Sequence, residues 1–177
     1  MGEAPSKLQR AFSLVELVVV VLIIGMLASM AIPRMSRGST GAAVATLTVD
    51  LKVVRDAILR YTVEHHNSFP GPDAASFVAQ LTLYSDAAGN TNGSRTAVYL
   101  YGPYLRDIPP CPLGHNPGSN KVLVDNGNSP PQPDAGSTAG WLYNANTGEF
   151  YPNESPEQQA ARLNGNLEVG GGAAIGG

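Results

Sequence analysis

Cysteine is nearly absent. Cys111 is the only one in 177 residues, so no disulfide can close within the chain. Charge is sparse as well: acidic and basic side chains make up 14% of the sequence, with a net charge of −3. No basic stripe of the kind that tracks a phosphate backbone is present, so nucleic acid is not an expected partner. The three histidines, His65, His66 and His115, lack paired C-x-x-C or H-x-x-x-H spacing with each other or with Cys111, which argues against a Cys/His metal site. His65 and His66 fall at the end of a helical pattern, where a favourable interaction with the helix dipole explains them. No nucleophile stands with a recognisable base and orienting acid, and no Gly-rich phosphate loop follows a strand. Cys111, set between two prolines, has only His115 as a candidate activator. An enzyme is therefore not expected.

What the chain does have is one long apolar run, Phe12 to Pro33, carrying a single charge, Glu16, and preceded by Lys7 and Arg10. A bilayer-spanning helix needs about 20 predominantly apolar residues, and this run has that length. An acidic residue near the centre of such a helix costs on the order of 2.5 to 3.5 kcal/mol, and less near an end, where Glu16 stands. From Leu17 to Pro33 no basic side chain offers a partner. Cutting the chain before Phe12 would create one, because it exposes an α-amino group with a reference pKa of about 7.7 to 8.0. That amine would lie about one helical turn from Glu16.

The string Gln9-Arg10-Ala11-Phe12-Ser13-Leu14-Val15-Glu16 resembles the leader and processing site of type IV pilins and type II secretion pseudopilins. The resemblance implies a leader of residues 1–11, removed by a prepilin peptidase between Ala11 and Phe12, with N-methylation of Phe12. It also implies that Glu16 neutralises the N-terminus of a neighbouring subunit during assembly. Gly25 and Pro33 fall where that family often has Gly and Pro, and Ala11 stands where Gly is usual. Many type IV pilins staple their C-terminal region with a cysteine pair, and the lone Cys111 favours the pseudopilin branch. A secretory signal peptide cut near Ser29-Met30-Ala31 is the competing reading, but the run exceeds the usual apolar core of about 7 to 15 residues and contains Glu16. A plain membrane anchor leaves Glu16 without a role, and a buried core helix does not suit so uniform a run.

By the positive-inside tendency, Lys7 and Arg10 place the leader on the cytoplasmic side and everything beyond about Ile32 outside. Pro33 lacks an amide hydrogen and crowds the carbonyl of Ser29, while Gly25 weakens the same stretch. The segment Gly25 to Pro33 is accordingly expected to kink, or to lose helical order when subunits pack. After a polar patch, Ser36 to Gly41, residues Val44, Leu47, Leu51, Val54, Ile58 and Tyr61 recur at helical spacing, with Asp50, Lys52, Asp56 and Arg60 off that stripe. The expected organisation is a transmembrane and assembly half of a stem helix at 12–33, an amphipathic half at 34–67, a globular head at 68–152 and a flexible tail at 153–177.

Within the head, Asn67 to Pro72 ends the stem, and Asp73 is a plausible N-cap for a helix from Ala74 to about Leu83. Residues 85–94 read as a loop. Ala97 to Tyr101, Lys121 to Asp125, Gly140 to Asn144 and Glu149 to Tyr151 read as strands of a small antiparallel sheet, the last two joined by a turn at Ala145-Asn146-Thr147-Gly148. Trp141, Tyr143, Phe150 and Tyr151 are expected to pack this sheet onto the stem. The fold class is α+β and pilin-like. Gly102-Pro103-Tyr104-Leu105 with Pro109, and Trp141-Leu142-Tyr143 before Asn146-Thr147-Gly148, are similar to stretches of the major pseudopilin of type II secretion. That subfamily often holds calcium in a C-terminal loop, which makes Asp125 and Asp134, with Asn126 and Asn128, weak calcium candidates. No other cofactor is expected.

The partners expected on this resemblance are other copies of the chain or a mixed filament, the prepilin peptidase, an inner-membrane assembly platform and, before assembly, the lipid bilayer. The alternative is a monomeric, single-pass, membrane-anchored extracytoplasmic binding protein, which would retain its leader.

Overall fold

The computed structural model describes residues 13–164, and of residues 29–39 the backbone alone. The leader, the Ala11 to Phe12 bond, the side chain of Pro33 and the Gly-rich stretch 165–177 lie outside the described residues. The chain separates into two compact units, Met1–Gly38 and Ser39–Gly177. The division falls inside the polar patch between the two halves of the expected stem.

The first helix, α1, runs Leu14–Glu64 and passes through Gly25 and Pro33 without a break. In the N-terminal unit every large apolar side chain from Leu14 to Leu27 is uncovered, with exposures between 48% and 79%. In the second unit α1 buries one face only. Leu47, Val54, Ile58 and Tyr61 are almost fully enclosed, and Val44 and Leu51 pack against them, which is the stripe read from the sequence. Asp50 is half-buried beside that stripe, while Lys52, Asp56 and Arg60 face solvent.

Helix α2, Ala74–Thr82, starts where its cap dictates: the Asp73 carboxylate accepts from the amides of Ala75 and Ser76. Its Phe77 and Leu81 are fully buried. Phe77 lies 4.2 Å from the Tyr143 ring and 5.9 Å from Phe150, and Trp141 lies 5.0 Å from Phe150. Polar handles on these aromatics are matched, since Trp141 Nε1 donates to the Pro109 carbonyl and Tyr143 Oη to that of Pro70, both at 2.8 Å.

Residues 84–92 are not a plain loop. They form a hairpin, β1 (Tyr84–Ser85) against β2 (Thr91–Asn92). Asp86 closes it by accepting from the amides of Ala88 and Asn90 and from Asn90 Nδ2, each at 2.9 Å. Ala97 to Tyr101, in turn, is not a strand. Thr96 Oγ1 accepts from the Val98 and Tyr99 amides and curls the segment into a turn, leaving only the bridge between Tyr101 and Ser85.

The main sheet has the order β3 (Val122–Val124), β4 (Trp141–Tyr143), β5 (Phe150–Pro152). The β4–β5 hairpin is antiparallel and turns at Ala145 to Gly148 as expected, but β3 joins β4 in parallel, Val122 opposite Trp141. The reason is the connection from Asp125 to Gly140, long enough to return the chain to its starting end, as parallel pairing requires. Pro130, Pro131 and Pro133 keep that connection out of the sheet.

The expectation of a flexible tail from residue 153 is corrected for its described part. Asn153 is completely buried and Glu154 nearly so, and a third helix, α3, follows at Pro156–Leu163. Ser155 and Gln158 form a capping box, with Pro156 in the first turn. Arg162 grips the Glu154 carboxylate through Nη2 at 2.7 Å and Nε at 3.3 Å, fixing the helix to the segment that precedes it.

Candidate processing and assembly site

Glu16 occupies the first turn of α1, where a negative charge suits the exposed amides of a helix start. The turn begins at Ser13, whose carbonyl accepts the Leu17 amide at 3.2 Å. Glu16 is exposed and, among the described residues, forms no ion pair. The carboxylate therefore stands on a helix whose apolar side chains are also uncovered, and nothing described in the chain satisfies either. Gly25 lies on the same helix, and among the described residues a Cβ there would meet nothing within 4 Å. Among the described residues no helix is long and apolar enough to cross a membrane. The apolar run of the sequence, 12–33, begins and ends beyond the described side chains.

Residues 6–32 match the prokaryotic N-terminal methylation motif. No curated protein and no solved structure matches the chain. The matched stretch contains Ala11, Phe12, Glu16 and Gly25 and stops one residue before Pro33. It supports a type IV pilin-like family and implies a prepilin-peptidase substrate with a membrane-anchored precursor. The α+β, pilin-like fold of the described chain agrees with that motif.

The calcium candidates are drawn into separate turns. Both oxygens of Asp125 accept N–H bonds, from Gly127 at 3.1 Å and from Asn128 Nδ2 and the Gln132 amide at 2.9 Å, which holds its carboxyl below the usual carboxylate range. Asp134 closes a turn of its own by accepting from the Gly136 amide at 2.8 Å. The Asn126 side chain supports the β4–β5 turn by accepting from the Ala145 amide, and Asn128 Nδ2 is committed to Asp125. The loop thus folds with amide donors turned toward both carboxylates. Among the described residues no group of three or more His, Cys, Asp or Glu is gathered as a metal site.

The histidines separate. His65 is buried, with Nδ1 2.8 Å from the Tyr61 carbonyl and its ring stacked 3.8 Å from that of Tyr61. A carbonyl only accepts, so Nδ1 carries a proton, and Nε2 lies 3.0 Å from the Ser85 hydroxyl. His66 is exposed at positive φ where the helix ends. Cys111 is buried, its thiol donating to the Leu113 carbonyl, and burial pushes its pKa up to about 12.

Sequence reasoning missed a cleft of about 390 Å³ between the flank of α1, the prolines 130–133, β5 and α3. In its wall Arg55 donates Nε and Nη2 to the Phe150 carbonyl, at 3.1 and 2.7 Å, and lies over the Tyr151 ring. Together with Pro152, which has no amide hydrogen, this closes the free edge of β5 to further strands. The Ser155-x-x-Gln158 box with Pro156 was the available signal for the α3 wall.

Proposed function

We propose that the chain is a structural subunit of a type II secretion pseudopilus or a related type IV pilus-like filament, working by polymerisation and not as an enzyme. On this reading it is cut before Phe12 and methylated there. It waits in the cytoplasmic membrane with its head outside, and enters the filament through an inner-membrane assembly platform.

The observation that carries this is Glu16, a carboxylate within the matched motif that forms no ion pair among the described residues and stands in the first turn of α1, where the large apolar side chains from Leu14 to Leu27 are uncovered. A charge in apolar surroundings demands a counter-charge. The amine of Phe12 on an earlier subunit supplies it, and sister stems cover the apolar surface. Before cleavage that amine does not exist, so the leader acts as an assembly lock.

N-terminal sequencing together with incorporation of Glu16→Ala tests the reading. The mature chain is expected to begin at Phe12, carrying one extra methyl, and the variant to be cleaved yet excluded from filaments. A retained leader with normal behaviour of the variant would instead fit a monomeric membrane-anchored binding protein.

A further inference from the structure

In an Asn-Gly pair the asparagine side chain and the following backbone nitrogen can meet with little hindrance, because glycine carries no Cβ. The sequence holds three such pairs, Asn92-Gly93, Asn126-Gly127 and Asn164-Gly165. The third runs out of the described residues. The other two are both exposed and differ in how they are bonded. At Asn126 every reacting group is committed: the Gly127 amide donates to Asp125 Oδ1 at 3.1 Å, Asn126 Oδ1 accepts the Ala145 amide at 2.8 Å, and Nδ2 donates to the Pro72 carbonyl at 3.3 Å. At the end of β2 the pattern is reversed. Among the described residues the Gly93 amide donates no hydrogen bond and Asn92 Nδ2 has no partner, while Asn92 Oδ1 accepts the Ser94 amide at 2.9 Å. Nucleophile and leaving group are both free there, and the one bond present draws electrons from the carbon to be attacked.

We propose that Asn92 is a site of spontaneous deamidation, and that the fold directs the reaction there and away from Asn126. The Gly93 nitrogen gives its proton to water and attacks Asn92 Cγ. The Cγ–Nδ2 bond breaks, and Nδ2 takes up a proton and leaves as ammonia. A five-membered imide results. One water molecule opens it at either carbonyl, giving an aspartyl residue or, with the main chain rerouted through Cβ and Cγ, an isoaspartyl residue. Each event consumes one water, releases one ammonia and adds one negative charge, with no oxidant or reductant involved. In the isoaspartyl form β2 gains a backbone carbon at the residue opposite Tyr84, and that pair is lost. The pairing of Ser85 with Thr91 and the two bonds between Ser85 and Tyr101 lie inside the altered residue and keep the rest of the hairpin in place. The reaction thus marks the age of the chain on its surface without unfolding the head.

The test is peptide mapping by mass of the detergent-solubilised full chain held in mildly alkaline buffer, with isoaspartyl methyltransferase and a labelled methyl donor as a second probe. The Asn92 peptide should acquire the amide-to-acid mass change, and the label, about tenfold or more faster than the Asn126 peptide, where hydrogen bonds must break before attack. In urea those bonds are gone, and the two rates should converge. Gly93→Ala should fold as the unaltered chain does, because a Cβ there meets nothing within 4 Å, yet slow the Asn92 reaction about tenfold by crowding the attacking nitrogen. Equal rates at the two sites in the folded chain, a preference for Asn92 that survives in urea, or a Gly93→Ala chain that reacts at the unaltered rate would each overturn the proposal.

Discussion

Asn153 offers the sharpest test of how the head is held together. Its side chain is fully buried, where Oδ1 accepts the Asp134 amide at 2.9 Å and Nδ2 donates to the carbonyls of Asp134 and Ala139 at 2.8 and 2.9 Å. Its backbone adds a bond to Gly140 and receives one from His115. Asn153→Ala keeps the backbone bonds but removes three side-chain bonds and leaves the Asp134 amide without its acceptor, while the Ala139 carbonyl keeps Asn116 Nδ2 and the Asp134 carbonyl keeps the Ser137 amide. At about 1 kcal/mol per net bond, with a further penalty where water cannot reach, the expected loss is about 2–4 kcal/mol. Asn153→Asp is nearly isosteric but sets a carboxylate oxygen against two carbonyl oxygens. Its carboxyl should titrate above the unfolded value of about 3.9. The destabilisation is then greatest at neutral pH and shrinks as pH falls through the raised pKa, because the protonated acid can donate one of the lost bonds. Trp141, the only tryptophan and fully buried, reports unfolding by fluorescence in a urea titration of the detergent-solubilised full chain. A loss for Asn153→Ala under about 0.5 kcal/mol, the range of an ordinary surface substitution, would refute the reasoning. So would an Asp variant indifferent to pH.

Gly148 has φ +74°, and a Cβ there would stand 2.4 Å from a Phe69 ring carbon, whereas Gly118, at φ +83°, meets nothing within 4 Å. Gly118→Ala should therefore cost only the left-handed backbone term, about 1–2 kcal/mol, and Gly148→Ala measurably more in the same urea titration. The Asp73 carboxyl is held below its ordinary value of 3.8, chiefly by the Ser76 amide and hydroxyl, so its stabilisation is present above that pH and is lost as pH falls through its folded value. Asp73→Asn, which still caps α2, should flatten the acid limb of an unfolding-versus-pH curve without abolishing the helix. The Cys111 thiol, with its pKa pushed up to about 12 by burial, should resist alkylation at pH 8 in the folded chain and react fully in urea, as followed by mass.

Much of this protein was legible in its residue order. The apolar run, the isolated Glu16 and the residues around the Ala11 to Phe12 bond pointed to the N-terminal methylation motif that residues 6–32 match, because membrane length and charge cost act on local composition alone. The helical stripe from Val44 to Tyr61, the Asp73 cap and the 145–148 turn were equally plain, since each rests on contacts within a few residues. Strand pairing was another matter. Ala97 to Tyr101 has strand composition, yet one hydroxyl, that of Thr96, diverts it into a turn. The parallel entry of β3 depends on where a proline-rich connection leads the chain, which periodicity does not record. The described part of the tail, 153–164, is held through Asn153 by bonds to residues 14 to 19 positions earlier, although its capping box stood in the sequence throughout. Local chemistry thus wrote the ends of the helices and the charge of the N-terminal segment. Only tertiary packing, which brings distant backbone groups to one buried side chain, decided what the C-terminal third of the head would be.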